Sequence, residues 1–371
     1  MHPLDYKGCI FNALREVECM NVVEQYNLTL QIEVLKEQSA ETLARLCNLV
    51  EGSGTSDCVE LLKAYSHIVN TELYLATSIH ELDILKSDMV KLENTIKESL
   101  AQASHDISDI KETGDVQAIE SYSSEDFEKA LERTIDFLTF NKSISSTPRA
   151  VILGGQSGAG KTTIHRVKML ESKGNYIVID GDTYRAQHPY FRELQEKYGV
   201  DSVDYTKMFA GKMVEAVIDK LSSLKYNLII EGTLRSAAVP INTATLLKSK
   251  GYTVDFCLIA TKPELSYLTT QLRYLEMMIV DPLQARATPK DHHDGIVKSL
   301  VYNSNELEQS GLFESIQVYK RDLEQVYNSK LCTESVGTVV DKILFGPWTS
   351  DEYALLEVSK SQEQELREKL P

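Results

Sequence analysis

The chain has no apolar run of the 18 or more residues that a membrane-spanning helix requires, which excludes a helical membrane protein. Residues 1–30 carry Asp5, Lys7, Arg15, Glu16, Glu18 and Glu24, so the apolar core of a secretory leader is also missing and a cytoplasmic location is expected. Cysteine is sparse. Its six copies (Cys9, Cys19, Cys47, Cys58, Cys257 and Cys332) are scattered without a C-x-x-C pair, as for reduced thiols and unlike a disulfide frame or a zinc cluster. Positive charge is scarce too: the net charge is −16, and residues 1–115 hold 9 Lys/Arg against 20 Asp/Glu. An acidic N-terminal third argues against nucleic acid, whose phosphates need cations, and no DNA-binding module or basic stripe is present. A GTPase would show an N-K-x-D motif after its phosphate loop and a protein kinase an H-R-D motif; the sequence has neither.

What is present is ordinary globular composition, 42% hydrophobic and 25% charged over 371 residues, with room for two or three domains. Residues 1–102 read as helical throughout. Leu28, Ile32 and Leu35 share one helix face, and Leu43, Leu46 and Val50 continue the pattern. Glu51–Asp57 is a turn by composition. Leu82, Leu85, Met89, Leu92 and Ile96 form a 3-4-3-4 seam, too short for a free coiled coil and suited to an antiparallel bundle. Segment 103–119 is polar and weakly periodic, a linker that reaches at most about 60 Å. A second domain opens near residue 120 with a helix from Ser123 or Ser124 through Phe127, Leu131 and Ile135 to Phe140. Beyond Pro148, strand-length runs at Arg149–Leu153, Tyr176–Asp180, Asn227–Glu231, Thr253–Ile259 and Ser315–Tyr319 alternate with helical stretches. This is the pattern of an α/β fold with a parallel sheet and helices on both faces. The insertion from Leu265 to Gly311 is long enough for a substrate lid. The acidic helical tail after Thr349 is expected to contribute no chemistry.

One stretch carries the chemistry. Gly155-Gln156-Ser157-Gly158-Ala159-Gly160-Lys161-Thr162 satisfies the phosphate-loop pattern G-x-x-x-x-G-K-[ST] between a strand and a helix opening at Thr163. Such a loop aims backbone N–H groups at a phosphate, at a helix terminus whose dipole favours anions. Lys161 would reach the β- and γ-phosphates of ATP and Thr162 would hold Mg²⁺. Ligands of open α/β sheets sit beyond the carboxyl ends of the strands, where Asp180-Gly181-Asp182 and Glu231-Gly232-Thr233 fall. A carboxylate there deprotonates a substrate hydroxyl or binds Mg²⁺ through water. Asp182 is the candidate base, with Asp180, or a turn role for the pair, left open. Arg273 and Arg286 are candidate cations for the transferring phosphoryl group. His292-His293 reads as a helix start rather than a metal site. A small-molecule kinase remains.

The stretches Leu153–His165, Ile179–Asp182, Phe209–Glu215, Ile230–Arg235, Ala260–Tyr267 and Gln284–Lys290 together resemble the zeta toxins of epsilon/zeta toxin–antitoxin systems, particularly the pneumococcal type. The resemblance implies an ATP- and Mg²⁺-dependent kinase with a P-loop kinase-like fold over 120–350. It would phosphorylate the 3′-hydroxyl of the amino sugar in UDP-N-acetylglucosamine and so block cell-wall synthesis. It also implies Asp182 as general base, Lys161 and Thr162 on phosphates and metal, and Arg273 and Arg286 at the transferring group. Glu215, Glu231 and Thr233 would bind the sugar. Glu24–Gln38 and Ile68–Leu75 resemble the toxin-binding part of the cognate antitoxin. Too few residues precede them for the DNA-binding domain such antitoxins carry, so promoter binding is not expected. The expected organisation is an inhibitory domain at 1–102, a linker at 103–119, the kinase at 120–350 and a tail at 351–371. Inhibition in cis or by a neighbouring chain, and a homodimer, are both open. A kinase of another small hydroxylated compound and a module that never turns over are the competing readings.

Overall fold

Arg149–Gly154 (β1), Ile177–Ile179 (β2), Leu228–Glu231 (β3), Thr253–Ile259 (β4) and Ile316–Tyr319 (β5) are apolar runs too short for helices. In the computed structural model, which describes residues 21–51, 56–104, 119–283 and 285–370, they pair into one sheet. The strand order is β2-β3-β1-β4-β5-β6, where β6 is Gln325–Asn328. Ile152 lies opposite Ile230 on one side and Phe256 on the other, and the first five strands are parallel. Residues 150–154 are all buried, as a central parallel strand covered by helices requires. The sheet is not wholly parallel: Gln325–Asn328 (β6) adds an antiparallel edge to β5, which the sequence reading did not anticipate. Only Tyr327 of its four residues is buried, so neither an apolar run nor a clean alternation marks it.

The chain divides into two compact units, neither continuous in sequence. The first comprises the described residues to Val34, then Ser143–Asp180 and Leu221–Pro371, and holds the whole sheet. Its helices are Lys161–Glu171, Ala238–Ser249, Pro263–Val280, Lys290–Gln309, Val336–Phe345 and Ser350–Lys369. The insertion after β4 is thus a helix–connection–helix, with His292 and His293 in the first turn of its second helix. The opening turns of the helix Val22–Glu51 also belong here. Val22, Tyr26, Leu30 and Val34 recur every fourth residue, so they share one helix face. Tyr26 and Leu30 cluster with Leu265, Leu272 and Leu355, with Val22 against them, while Val34 meets Met277 and Ala285. The C-terminal helix supplies Leu355 to this core and Gln362 Nε2 donates to Asn27 Oδ1 at 2.9 Å, so the tail is structurally engaged.

The second unit, Leu35–Lys142 and Gly181–Lys220, is helical. Leu43, Leu46 and Val50 are buried, as are Leu82, Met89 and Ile96 of the helix Ile79–Ser104, while Leu85 and Leu92 are half-buried. That helix packs on Ser56–His67, which also packs on Ser124–Thr139. A capping box starts the latter: Ser123 Oγ accepts from Asp126 N at 3.0 Å and Asp126 Oδ2 accepts from Ser123 N at 3.0 Å. Arg133 bonds Glu51 and donates to Gln187 Oε1 at 2.9 Å; Lys142 Nζ donates to Thr71 Oγ1 at 2.7 Å. Part of the expected linker, 105–118, lies outside the described residues, as do Cys9, Cys19 and Gln284.

Candidate active site at the phosphate loop

The loop after β1 depends on glycine for two reasons. Gly155, Gly158 and Gly160 adopt φ of 143°, 72° and 99°, where side chains are strained. Neighbouring backbone also comes close: a Cβ on Gly155 would lie 2.5 Å from the Ile259 carbonyl oxygen, and one on Gly158 2.0 Å from that of Ser266. Gly160 then opens the helix Lys161–Glu171, whose N-terminal end favours anions. Ser157 lies at the loop's half-buried tip, between Gln156 and Gly158.

Three braces hold the loop from outside. Gln156 Nε2 donates to the Thr261 carbonyl and, at 3.3 Å, to Ser266 Oγ. Thr261 Oγ1 donates to the Ala159 carbonyl at 3.0 Å. Arg321, two residues past β5, donates from Nη1 to the Gly158 carbonyl at 2.7 Å. Ser266 is in turn 2.9 Å from His293 Nε2, a buried imidazole whose pKa burial pushes down, so it is held neutral. A loop fixed this way pays little reorganisation on binding an anion.

Lys161, Thr162 and Thr163 are buried at the helix start. Lys161 Nζ lies 3.5 Å from Glu231 Oε1 at the carboxyl end of β3, and His165 Nε2 lies 3.3 Å from Glu231 Oε2. The structure therefore brings Lys161 and Glu231 together, as their positions at adjacent strand ends imply. Glu231, Thr233 and Arg235 line a cavity of about 300 Å³ with Ile152, Val239 and His292. Arg273 stands on the first helix of the insertion, its Nη1 4.0 Å from Glu33 Oε2. Arg286 is half-buried in the connection to the second.

Asp182 and Glu215 belong to the second unit. Asp182 precedes a short 3₁₀ turn, Thr183–Gln187, and accepts from Arg185 Nε at 2.9 Å. Arg185 also donates to the Val203 carbonyl at 3.0 Å and Thr206 Oγ1 at 3.2 Å, so the carboxylate is oriented by a pinned guanidinium while its side chain stays 55% exposed. Glu215 is exposed on the helix Ser202–Ser223.

Sequence reasoning missed Arg321, His165 and Arg185. Arg321 was within reach of the rule applied to β2 and β3, because it too follows a strand's carboxyl end. His165 and Arg185 act through contacts made only on folding.

A strand, a glycine loop with lysine and threonine at a helix start, and a mostly parallel sheet flanked by helices define a P-loop kinase fold. Residues 133–331 match the family model described as Zeta toxin, and residues 24–99 match the Bacterial epsilon antitoxin model. The Toxin PezT of Streptococcus pneumoniae serotype 4 is 56% identical over 251 residues, 68% of this chain and 99% of its own length. A Toxin zeta of Streptococcus agalactiae is 42% identical over 57% of this chain and 74% of its own. A solved structure from work on the PezAT chromosomal toxin–antitoxin system of Streptococcus pneumoniae aligns with a TM-score of 0.64 and 53% identity, covering 67% of this chain and all of that one. The chain belongs to the zeta toxin family, and it carries an antitoxin-like segment in the same polypeptide. Among the described residues no helix is long and apolar enough to cross a membrane.

Proposed function

We propose that this protein is an ATP- and Mg²⁺-dependent kinase of the 3′-hydroxyl of the N-acetylglucosamine unit in UDP-N-acetylglucosamine, held inactive by its own antitoxin-like segment. The braced glycine loop with buried Lys161 carries the kinase reading, since a glycine-rich turn and a lysine at a helix start suit a polyphosphate. In this reading the loop amides and Lys161 bind the β- and γ-phosphates, exchanging the Lys161–Glu231 pair for phosphate oxygens. Thr162 would hold Mg²⁺, which supplies charge neutralisation when bound. Asp182 takes the proton of the sugar hydroxyl. The hydroxyl oxygen bonds to the γ-phosphorus, and the bond from that phosphorus to the β–γ bridging oxygen breaks to release ADP. Arg273 and Arg286 balance charge on the transferring oxygens, and Glu215, Glu231 and Thr233 orient the sugar.

The inhibitory part rests on the helix turns 22–34. Thr29 Oγ1 lies 3.3 Å from Thr163 Oγ1 beside the phosphate loop, and Glu33 offers its carboxylate to Arg273. A tether raises the local concentration of the inhibitor to about millimolar, so a modest interface keeps the site covered.

The test is a fragment of residues 119–371 given ATP, Mg²⁺ and UDP-N-acetylglucosamine, with ADP and sugar phosphate read by mass spectrometry. Product from the fragment and little from the full chain is expected. A folded fragment that makes no sugar phosphate would refute the substrate. Asp182→Asn should lower kcat by about 10²–10⁴-fold with ATP affinity kept; equal loss of ATP binding would argue against a base.

A further inference from the structure

The phosphate loop seats a triphosphate, but a nucleotide also has a flat base that needs a place. Tyr26 sits one helix turn before Thr29, the residue that touches Thr163. Its ring is 3% exposed and lies over the Arg321 guanidinium, 4.5 Å from carbon to ring centroid. Leu265, Leu272 and Leu355 form apolar walls. At the far end the phenol oxygen meets Thr269 Oγ1 at 3.5 Å and accepts from Ser359 Oγ at 3.2 Å.

The slot's chemistry is more specific than a generic core. Arg321 is tied by Nη1 to the Gly158 carbonyl, so its planar cation has a set position beside the phosphate cradle. It also stands at the carboxyl-end side of the sheet, where ligands of such folds bind. A guanidinium face accepts any flat π system, aliphatic walls exclude water from it, and two hydroxyls that both donate and accept suit the polar edge of a heteroaromatic ring. A phenol and a purine share these features: a flat ring and a polar rim. Leucine or methionine in place of Tyr26 would fill the volume and leave the guanidinium face and both hydroxyls unmatched.

We propose that the slot holding Tyr26 is the base subsite of the nucleotide, that Arg321 stacks on the base, and that Tyr26 is a built-in surrogate taking the base's place. The proposal rests on the reading of the loop as an ATP site. It adds a nucleotide-positioning residue, and it assigns part of the closure to one side chain.

The full-length chain and its variants are titrated calorimetrically with ATP and, separately, with inorganic tripolyphosphate, and thermal melts verify folding. Tyr26→Ala is expected to raise ATP affinity by about tenfold, the factor that a lost cation–π contact represents, with a smaller change for tripolyphosphate. Tyr26→Phe keeps the ring and should stay near the parent. In the Tyr26→Ala background, Arg321→Lys keeps the charge and loses the plane. It should cancel most of the ATP gain, with a clearly smaller loss for tripolyphosphate from the weakened Gly158 brace. Equal losses for both ligands would make Arg321 only a brace of the phosphate loop and overturn the proposal. ATP and tripolyphosphate binding Tyr26→Ala equally well would overturn the base subsite and leave the phosphate reading standing. A folded Tyr26→Ala chain that binds neither would remove both.

Discussion

Residues 22–34 and 35–51 are one helix by hydrogen bonding, yet the two parts bury themselves by different means. The first combines an apolar stripe with polar contacts at defined points: Thr29 on Thr163, Tyr26 on Ser359 and Arg321, and Glu33 toward Arg273. The second buries Leu43, Leu46 and Val50 and adds the surface pairs Arg45–Glu93 at 2.7 Å and Glu41–Arg192 at 3.0 Å. Exposed pairs of that kind contribute little, so apolar area dominates there. Contact beside the phosphate loop and burial of the rest of the helix thus fall to separate stretches. The first needs matching chemistry, the second only area and shape.

Deleting residues 1–34 breaks the comparison most directly. If residues 22–34 close the site, an effective concentration near millimolar acting on an affinity on the order of micromolar would suppress turnover by about a thousandfold, and the deletion should restore it. Steady-state ADP release checks this, and unchanged activity would mean that residues 22–34 do not close the site. Leu46→Ala tests the other half. Leu46 is fully buried, so the loss should cost about 2–5 kcal/mol in denaturant melts, while turnover stays suppressed below the transition.

A weaker effect is expected with pH. Burial beside Tyr122 and Phe209 lowers the His188 pKa to about 4 from 6.5, against the opposing pull of Asp126. Between those values the unfolded chain binds a proton that the folded one refuses, so stability falls as pH drops from 6.5 to about 4 and then levels off. Solvent screening holds this to about 1–2 kcal/mol. His188→Gln should flatten the profile in that window; an unchanged slope would show that other groups set it. Ser123→Ala is the smallest change, about 1 kcal/mol from a lost cap, visible as a small drop in Tm with activity unaffected.

Much of this was legible in residue order because it depends on local rules. The motif Gly155–Thr162 sits between a strand and a helix because G-x-x-x-x-G-K-T is itself a strand–turn–helix instruction. The capped helix after Ser123 and the 3-4-3-4 seam through Ile96 follow from hydrogen bonding and periodicity in the same way. Edge strand β6 was not legible, since four mixed residues become a strand only when β5 offers its edge. The packing of the C-terminal tail was not legible either: Ser359 reaches Tyr26 across 333 residues, a contact no spacing could announce.

By itself, then, the sequence determined that a phosphate-binding loop exists, which side chains it carries, and that an acidic helical segment accompanies it, because those follow from neighbours along the chain. Only the tertiary structure decided that Thr29 meets Thr163, that Arg321 holds the Gly158 carbonyl, and that Tyr26 lies on that guanidinium. These contacts join residues more than a hundred positions apart. They form because one helix face must bury its apolar stripe, and that burial sets which polar groups come to lie beside the loop.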